Sequence, residues 1–316
     1  MDTTEDELLT AIARLLSTED PGVVVGVGDD AAVVRAGAGD LVLTTDALVE
    51  GSHFVRSASS ARDLGFRAVV VTVSDVAAMA GSPRYALAAL TLPGDVDAAY
   101  VAEVVGGMRE ACAEYACLLV GGNLARGRDL TITVTVTGEV APGHAVTRAG
   151  ARPGDAIVVT GDLGAAAAAL RVRDDPSGWS DDDRAAIRRA ERPTARVGEA
   201  QVLVRHGADA MMDISDGLAL DLSRICRASG VGARVILADV PVAPAATLDE
   251  ALGGGEDYEL LATMPLDAVG AAAEELAGVF GVALTSVGVI IEGGIVGVAV
   301  DGTETALEQR GWDHFR

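Results

Sequence analysis

The spacing of hydrophobic residues along the chain predicts both helices and strands. Five aliphatic residues near the start fall on one helical face: Leu8, Leu9, Ile12, Leu15 and Leu16. Residues 130–137 alternate instead, with Leu, Ile and Val on one side and Thr on the other, which is typical of a half-buried strand in an antiparallel sheet. Residues 63–80 include a run of Val, but their length and the stop signal of Gly81 and Pro83 favour a helix.

Shorter hydrophobic runs bounded by turn residues predict further elements. The predicted strands are 23–25, 41–45, 85–92, 117–120, 157–160, 211–214 and 258–264. The predicted helices are 97–115, an Ala-rich segment after Gly164, and 216–229 with Gly230 as its cap. The polar residues 174–183 are predicted to form an exposed loop. The turn-rich stretch 141–155 places a domain boundary near residue 148, giving domains 1–148 and 149–316.

The net charge, the N-terminus and the cysteines of the chain indicate its possible partners and its location in the cell. Its formal net charge is −23, and such a field repels nucleic acid and anionic membranes, so we expect neither as a partner. The acidic N-terminus does not resemble a signal peptide, and no apolar stretch is long enough to span a membrane. Three cysteines without a C-x-x-C pair indicate reduced thiols. We therefore expect a cytoplasmic protein.

The chain contains no Lys, which excludes several kinds of catalytic site. All its basic residues besides four His are Arg. A Walker A loop and a protein kinase both need a Lys on the nucleotide phosphates, and Schiff-base chemistry needs a Lys amine. If this protein binds ATP, the phosphates must be neutralised by metal ions, Arg side chains and backbone N–H groups.

Acidic residues recur beside Gly, Ser or Thr at the predicted ends of strands. The acidic segments are 28–30, 44–46, 74–75, 213–217 and 254–257. Carboxylates and hydroxyls are the ligands that Mg²⁺ prefers, and Mg²⁺ commonly bridges them to nucleotide phosphates. One such segment is usually a turn or a helix cap, so it indicates little by itself. The ordered set along one chain predicts a metal and phosphate site.

The ordered set also resembles the thiamine-monophosphate kinases over nearly the whole chain. The segments that carry the resemblance are GVGDDA at 26–31, TTDALVEGSHF at 44–54, SDVAAMA at 74–80, DISDGL at 213–218, GGEDYEL at 254–260 and GWDHF at 311–315. The resemblance implies an α+β fold of the aminoimidazole-ribotide synthetase type. In it, an N-terminal α+β domain has a mixed or antiparallel sheet that pairs in a homodimer, and a C-terminal α/β domain completes the site.

The resemblance also implies an activity and the residues that serve it. The reaction would transfer the γ-phosphoryl group of ATP directly to thiamine monophosphate, with several Mg²⁺ ions. The metal ligands it implies are Asp30, Thr44, Thr45, Asp46, Asp75, Asn123, Asp213 and Asp216. Nucleotide-contacting positions are Gly122, Asn123, Arg148 and Ser215, with Arg148 also stabilising transition-state charge. The positions that would hold thiamine monophosphate are His53, Glu256 and Trp312.

Asn123 departs from the pattern of this family. The family commonly has Asp after Gly-Gly, whereas here the sequence is Gly121-Gly122-Asn123, and Asn offers one neutral carbonyl oxygen in place of an anion. Either the variant is tolerated with a higher magnesium demand, or the activity is altered. Two further hypotheses therefore stay open: another ATP-dependent enzyme of the same superfamily with a different acceptor, and a non-catalytic sensor of Mg²⁺ and ATP.

Overall fold

The computed structural model describes residues 12, 14–16, 20–25, 32–173, 178–308 and 311. The chain divides into two compact units. The N-terminal unit comprises residues 1–76 and 81–144, and the C-terminal unit comprises residues 77–80 and 145–316.

A four-stranded sheet forms the centre of the N-terminal unit. Its strands are β3 (Asp40–Val49), β4 (Ser82–Leu92), β5 (Leu118–Arg126) and β6 (Thr131–Val140), in the order β3-β6-β4-β5. β4 and β5 pair in parallel and the other neighbours are antiparallel. Two short strands, β1 (Val23–Val25) and β2 (Val33–Val34), form a separate antiparallel pair. The strands predicted at 85–92 and 130–137 are confirmed, and the short strand predicted at 117–120 extends to Arg126.

Within residues 32–144 of the N-terminal unit, two helices accompany the sheet, α1 (Ala61–Ala78) and α2 (Ala98–Glu114). α1 lies on the buried face of the sheet, where Val76 contacts Gly138 of β6. The Val run of α1 is buried among the helices and the sheet, with Val69, Val70 and Val73 fully inaccessible. Burial of these side chains outweighs the weak preference of β-branched residues for strand, and the predicted helix is confirmed.

The other face of this sheet is exposed, and we call it the open face. It carries Leu41, Leu43 and Thr45 on β3, the Thr residues of β6, and Leu87 on β4. Leu41 and Leu43 are each 64% exposed. The alternation of β6 therefore matches its prediction: Ile132, Val134 and Val136 face the core while the Thr residues face outward.

A seven-stranded sheet spans the described part of the C-terminal unit. Its strands are β7 (Ala156–Thr160), β8 (Ala210–Asp213), β9 (Gly232–Ile236), β10 (Leu260–Met264), β11 (Leu284–Ile291), β12 (Ile295–Val298) and β13 (Glu304–Ala306). Their order is β13-β12-β9-β11-β7-β10-β8, and every pair is antiparallel except β9 with β12. β7, β8 and β10 are buried at every position, so both faces of the sheet are covered.

Helices cover this sheet on both faces. They are α3 (Ala165–Val172), α4 (Asp181–Glu191), α5 (Val197–Arg205), α6 (Leu218–Ser229), α7 (Leu248–Gly253) and α8 (Val269–Phe280). One core joins α6 to the sheet through Leu218, Leu222 and Ile225, and a second core joins α5 and α8 to the opposite face. The helix predicted at 216–229 is confirmed, and Gly230 ends it in the left-handed conformation.

One sequence expectation is wrong within this unit. Residues 174–183 do not form a loop throughout, because Ser180 caps α4 and Asp181–Asp183 make its first turn. The side chains of Ser180 and Asp183 each accept a hydrogen bond from the other residue's backbone N–H. The negative charges near the helix N-terminus stabilise this start, and the polarity mistaken for a loop is that of an exposed helical turn. In the part of the chain that is described, no helix combines the length and the apolar character needed to cross a membrane.

Candidate active site

The N-terminal unit brings together three of the predicted oxygen ligands. Thr44 and Asp46 point from β3 towards α1, which carries Asp75. The Thr44 hydroxyl donates a hydrogen bond of 2.5 Å to Oδ2 of Asp75. Asp46 and Asp75 are close enough to share a hydrogen bond, and Thr72 bonds to Asp46 as well. We call Thr44, Asp46 and Asp75 the β3–α1 cluster.

The electrostatics of the β3–α1 cluster favour a cation. Burial and the neighbouring charge of Asp75 raise the pKa of Asp46 to about 6. Among the described residues, Oδ2 of Asp46 is buried with no hydrogen-bond partner. A divalent cation would satisfy this oxygen and relieve the repulsion between the two carboxylates. No three His, Cys, Asp or Glu groups form a metal cluster in the described ranges, so the donors here are two carboxylates and hydroxyls.

Thr45 and Asn123 lie away from this cluster. Alternation along β3 places the Thr45 side chain on the open face, where its hydroxyl bonds to the carbonyl of Val134 (3.1 Å) and to the hydroxyl of Thr135 (3.0 Å). Asn123 is exposed on β5, the opposite edge of the sheet from β3. Three strand spacings separate these edges, about 14 Å. Within one chain, Asn123 therefore does not join Asp46 and Asp75.

Gly122 has a steric role of its own. A Cβ atom at this position would overlap the carbonyl oxygen of Ala88 on the neighbouring strand β4. The pairing of β4 with β5 shifts register between Ala86 and Leu87, close to the pair formed by Ala88 and Gly122. Gly is thus required here for strand packing, whatever the strand binds.

His53 follows β3 in a tight turn and has a defined orientation. The backbone N–H of Val49 donates to Nδ1 of His53 (3.1 Å), and the ring is half-buried. Because Nδ1 is an acceptor, the neutral ring carries its proton on Nε2. Nearby, Arg56 pairs with Glu50 (3.1 Å) and with Asp95 (2.7 Å), which fixes the turn that holds the ring.

The C-terminal unit carries a second group of acidic residues between β8 and α6. Asp213 ends β8 and is 4% exposed, and Ser215 and Asp216 form the turn that leads into α6. Gly217 caps the helix with a φ of +112°, a conformation that favours Gly. We call residues 213–217 the acidic turn.

Asp221 holds the acidic turn, although it is not among the site residues predicted from the sequence. Its Oδ2 accepts hydrogen bonds from the backbone N–H groups of Ser215 (3.1 Å) and Asp216 (3.0 Å). Its Oδ1 accepts from Arg224 (2.5 Å), which also pairs with Asp216 (2.6 Å). Burial raises the pKa of Asp221 to about 6 despite these partners. An Asp in the first helical turn with Arg three residues later was the available signal.

The segment 254–259 packs on the acidic turn through its backbone. Glu256 N–H donates to the Ser215 carbonyl (2.8 Å), Tyr258 N–H donates to the Ile214 carbonyl (2.9 Å), and Ile214 N–H donates to the Glu259 carbonyl (2.8 Å). Glu256 and Tyr258 have φ values of +58° and +54°. Strained backbone of this kind persists where surrounding contacts fix it, often at functional sites. The 254–259 segment and the acidic turn, both of which carry predicted site residues, are therefore joined by backbone hydrogen bonds.

Buried carboxylates anchor the 254–259 segment from beneath. Both Asp257 oxygens lie within hydrogen-bond reach of Gly164 N–H (3.0 and 2.9 Å), and burial raises the pKa of Asp257 to about 7. Glu259, with a side chain only 2% exposed, pairs with Arg196 (2.6 Å) and Arg189 (2.8 Å) and accepts from Thr160 (2.6 Å). The segment is thus held at its base while Glu256 stays half-buried.

Of the remaining predicted site residues, some lie in the described part of the chain and others do not. Arg148 is exposed, and its carbonyl accepts a hydrogen bond from Ser229 (3.2 Å). Asp30 and Trp312 lie outside the described residues. Gly311, which precedes Trp312, lies against the Asp216 carbonyl and the Leu220 side chain. The described end of the chain therefore reaches the acidic turn.

Both halves of the chain match one known protein family. Residues 28–140 match the N-terminal domain of the AIR synthase related proteins, and residues 152–301 match the C-terminal domain of the same family. A thiamine-monophosphate kinase of Escherichia coli strain K12 is 39% identical over 307 residues, which cover 93% of this chain and 92% of that protein.

Two solved structures have the same fold at similar identity. The crystal structure of a thiamine-monophosphate kinase from Stenotrophomonas maltophilia K279a is 35% identical with a TM-score of 0.83, covering 94% of this chain and 96% of that one. The structure of AaThiL complexed with AMPPCP and TMP is 33% identical with a TM-score of 0.79, and the match covers 100% of both chains.

Proposed function

The chain belongs to the thiamine-monophosphate kinases of the AIR synthase related family, and we propose that it transfers the γ-phosphoryl group of ATP to thiamine monophosphate, giving thiamine diphosphate and ADP. The observation that carries the proposal is the buried, unpartnered Oδ2 of Asp46 beside Asp75, an arrangement that a bound cation would satisfy. In an ATP-using enzyme without Lys, such a cation would neutralise the phosphates together with Arg side chains and backbone N–H groups.

The transfer is direct and needs no general base. A phosphate monoester has a second pKa of about 6, so the acceptor is largely dianionic at neutral pH. One of its oxygens forms a bond to the γ-phosphorus, and the bond from that phosphorus to the bridging oxygen of ADP breaks in line. The protein must position two polyanions against their mutual repulsion.

The residues present fit several magnesium ions. Thr44, Asp46 and Asp75 of the β3–α1 cluster would hold one group of oxygen contacts, and Asp213 and Asp216 of the acidic turn would hold another. We keep Asp30, Thr45 and Asn123 as proposed ligands. Thr45 would act through its backbone carbonyl, because its hydroxyl lies on the open face. Bound Mg²⁺ neutralises the phosphate oxygens and stabilises charge in the transition state.

The protein's own groups would bind the two substrates. Gly122, Asn123, Arg148 and Ser215 are the proposed nucleotide contacts, with Arg148 stabilising transition-state charge. His53 would donate from Nε2 to the phosphate of thiamine monophosphate, as the hydrogen bond at its Nδ1 favours. Glu256 and Trp312 would contact the cationic aromatic part of the substrate by charge and by ring stacking.

We also propose a homodimer that forms through the open face, in the cytoplasm. Leu41, Leu43 and Leu87 are exposed there beside a row of Thr residues. A second copy of this chain would bury these side chains, and exposed apolar patches of this kind commonly mark interfaces.

The test is the formation of thiamine diphosphate from ATP and thiamine monophosphate, followed across a magnesium titration. The wild type should form product at catalytic rates. Asn123→Asp is assayed in parallel, and a lower magnesium requirement in that variant would support Asn123 as a ligand. Absence of product from the wild type, with ATP still bound, would refute the proposed reaction.

The neutral Asn123 favours a second candidate, a protein that binds Mg²⁺ and ATP but uses a different acceptor or none. This alternative predicts ATP binding or hydrolysis that does not depend on thiamine monophosphate. The same assay separates the two, because a kinase releases ADP only in proportion to thiamine diphosphate.

A further inference from the structure

Asp221 is fully buried, and the hydrogen bonds of its side chain in the described part of the chain go to the acidic turn and to Arg224. Its side chain has no exposed surface, whereas that of Asp216 is 21% exposed. One oxygen accepts from the backbone of Ser215 and Asp216, and the other accepts from Arg224. Its oxygens are therefore engaged within the protein, so Asp221 is not itself placed to contact a cation.

Arg224 links Asp221 to the exposed carboxylate of the turn. It lies one helical turn after Asp221, and its two terminal nitrogens contact Oδ1 of Asp221 (2.5 Å) and Oδ2 of Asp216 (2.6 Å). A planar guanidinium fixes the direction of both carboxylates at once. Asp221 thus orients Asp216 in two ways: through the backbone N–H of Asp216, and through the guanidinium at its side chain.

We propose that Asp221 is a positioning residue that, with Arg224, presents Asp216 and Ser215 to the metal–nucleotide complex. The inference rests on the proposed function, since it assumes that the acidic turn receives that complex. Carboxylates that bind metals are themselves commonly held by hydrogen bonds, and loss of such a supporting group typically weakens metal affinity about 10–100-fold.

The fixed geometry also explains why the turn keeps its shape under charge repulsion. Asp213, Asp216 and Asp221 place three carboxyl groups within nine residues, with Arg224 as the cation paired to two of them. Without the acceptor at Asp221, the N–H groups of Ser215 and Asp216 lose their partner, and the turn can relax away from the conformation in which Glu256 N–H reaches the Ser215 carbonyl.

The experiment measures Mn²⁺ binding by electron paramagnetic resonance with a non-hydrolysable ATP analogue, so no turnover is required. The variants are Asp221→Asn and Asp221→Ala. Asn keeps an acceptor for the backbone N–H groups but loses the charge that holds Arg224, and Ala loses both. We expect Mn²⁺ affinity to fall in the order wild type, Asp221→Asn, Asp221→Ala, with a loss of about 10-fold or more in the last.

Asp209→Asn is the matched control. Asp209 precedes β8, opposite the end that carries Asp213, and it accepts a hydrogen bond from Thr263 (2.6 Å) with no contact to the acidic turn. Its carboxyl also has a pKa raised by burial. Asp209→Asn should bind Mn²⁺ like the wild type, and melting temperatures measured in parallel report folding separately.

The outcomes separate positioning from simple stabilisation. If the Asp221 variants melt earlier but bind Mn²⁺ with wild-type affinity, or if Asp209→Asn loses as much affinity, Asp221 is only structural and the proposal is overturned. Turnover is a second measurement: if Asp221 positions the turn, Asp221→Asn should need a higher magnesium concentration than the wild type for half-maximal activity. Ordered Mn²⁺ losses without any thiamine diphosphate from the wild type would support the positioning role and refute only the kinase reaction.

Discussion

Four buried or half-buried carboxylates of this protein have different partners, and the partners decide what each can do. Glu259 is neutralised by Arg196 and Arg189, and Asp221 by Arg224 and two backbone N–H groups. Asp257 has a backbone N–H as its hydrogen-bond donor, and Asp46 faces a second carboxylate. Of these four carboxylates, only Asp46 has a buried oxygen that lacks a hydrogen-bond partner in the described part of the chain.

Asp46→Asn should remove activity while stabilising the metal-free protein. The pKa of Asp46 is raised to about 6, so at pH 8 the native state holds an unfavourable charge that the neutral amide removes. We expect a gain of about 1–3 kcal/mol in unfolding free energy in EDTA. Calorimetry should also show that Mg²⁺ raises the melting temperature of the wild type by more than that of the variant, in which only the acidic turn keeps its oxygen ligands.

The control is Asp40→Asn, at the exposed start of the same strand. Asp40 accepts from Gly143 N–H (2.7 Å), and an Asn can accept the same hydrogen bond. It should change neither activity nor the response to Mg²⁺. A destabilised Asp46→Asn protein in EDTA would contradict the unfavourable charge assigned to this position.

The raised pKa of Asp257 predicts how the stability of the protein depends on pH. The pKa of its carboxyl is about 7 in the fold and 3.8 as the reference value, so the folded state holds the proton more tightly. Between these values the unfolded chain ionises first, and stability falls as pH rises; below about 4 and above about 7 the contribution is constant.

Asp257→Asn should remove this dependence. The unfolding free energy of the wild type minus that of the variant should fall by about 2–4 kcal/mol between pH 4 and pH 8. Urea titrations at several pH values measure it. A difference that does not change with pH would show that Asp257 titrates normally in the fold.

At the scale of elements, close backbone contacts set the geometry from which site residues project. β5 approaches β4 at Gly122, and the 254–259 segment approaches the acidic turn at Gly255, whose added Cβ would come within 2.6 Å of the Ser215 carbonyl. Both contacts leave no room for a side chain. At Gly122 and Gly255 the absence of a side chain thus serves packing first, and any approach of phosphate comes in addition.

Gly122→Ala should disrupt the pairing of β4 with β5. The new methyl group would overlap the backbone of Ala88, which cannot move without breaking the ladder. We expect a loss of about 1–3 kcal/mol of stability, the usual cost of overpacking. The matched control is Gly121→Ala, whose Cβ would meet only the end of the Leu87 side chain at 3.1 Å. Equal melting temperatures for the two variants would disprove the steric role.

At the scale of the whole molecule, the two units differ in which surfaces they bury. In the C-terminal unit both faces of the sheet are covered by helices, whereas the N-terminal unit leaves the open face exposed. With a net charge of −23 on each chain, association must overcome repulsion. The apolar side chains of the open face supply the attraction for our proposed dimer.

Leu43→Glu should convert the dimer to a monomer. Leu43 is 64% exposed on the open face, and a charge there would be buried against a second chain without a partner. Leu170→Glu is the control, because Leu170 is 63% exposed in the other unit. Sedimentation should show a monomer only for Leu43→Glu, and added salt should strengthen the wild-type dimer by screening. A dimer that survives in Leu43→Glu would place the interface elsewhere.

Much of the fold could be predicted because its signals are local. The alternation of Ile132, Val134 and Val136 predicted a strand with one buried face, and the stop signal after Ala80 outweighed the strand preference of the Val run in α1. The prediction failed at residues 181–183, where local polarity was taken for a loop although Ser180 and Asp183 form a helix cap.

The candidate site was predictable in composition but not in geometry. The motifs named Thr44, Asp46 and Asp75 among the expected ligands, and the structure places these three side chains together between β3 and α1. They gave no indication that Asn123 lies at the opposite edge of the sheet, since strand order depends on pairings between distant segments. They also missed Asp221, because its importance lies in which backbone groups it reaches.

The sequence by itself determined the residue types available for chemistry, the exclusion of Lys-dependent sites and most of the elements, because each depends on composition or on a short period. Only the tertiary structure decided which face Thr45 occupies, which carboxylate lacks a partner and which residue holds the acidic turn. These depend on register, burial and contacts between segments far apart in the chain, and such contacts form only when the whole domain packs.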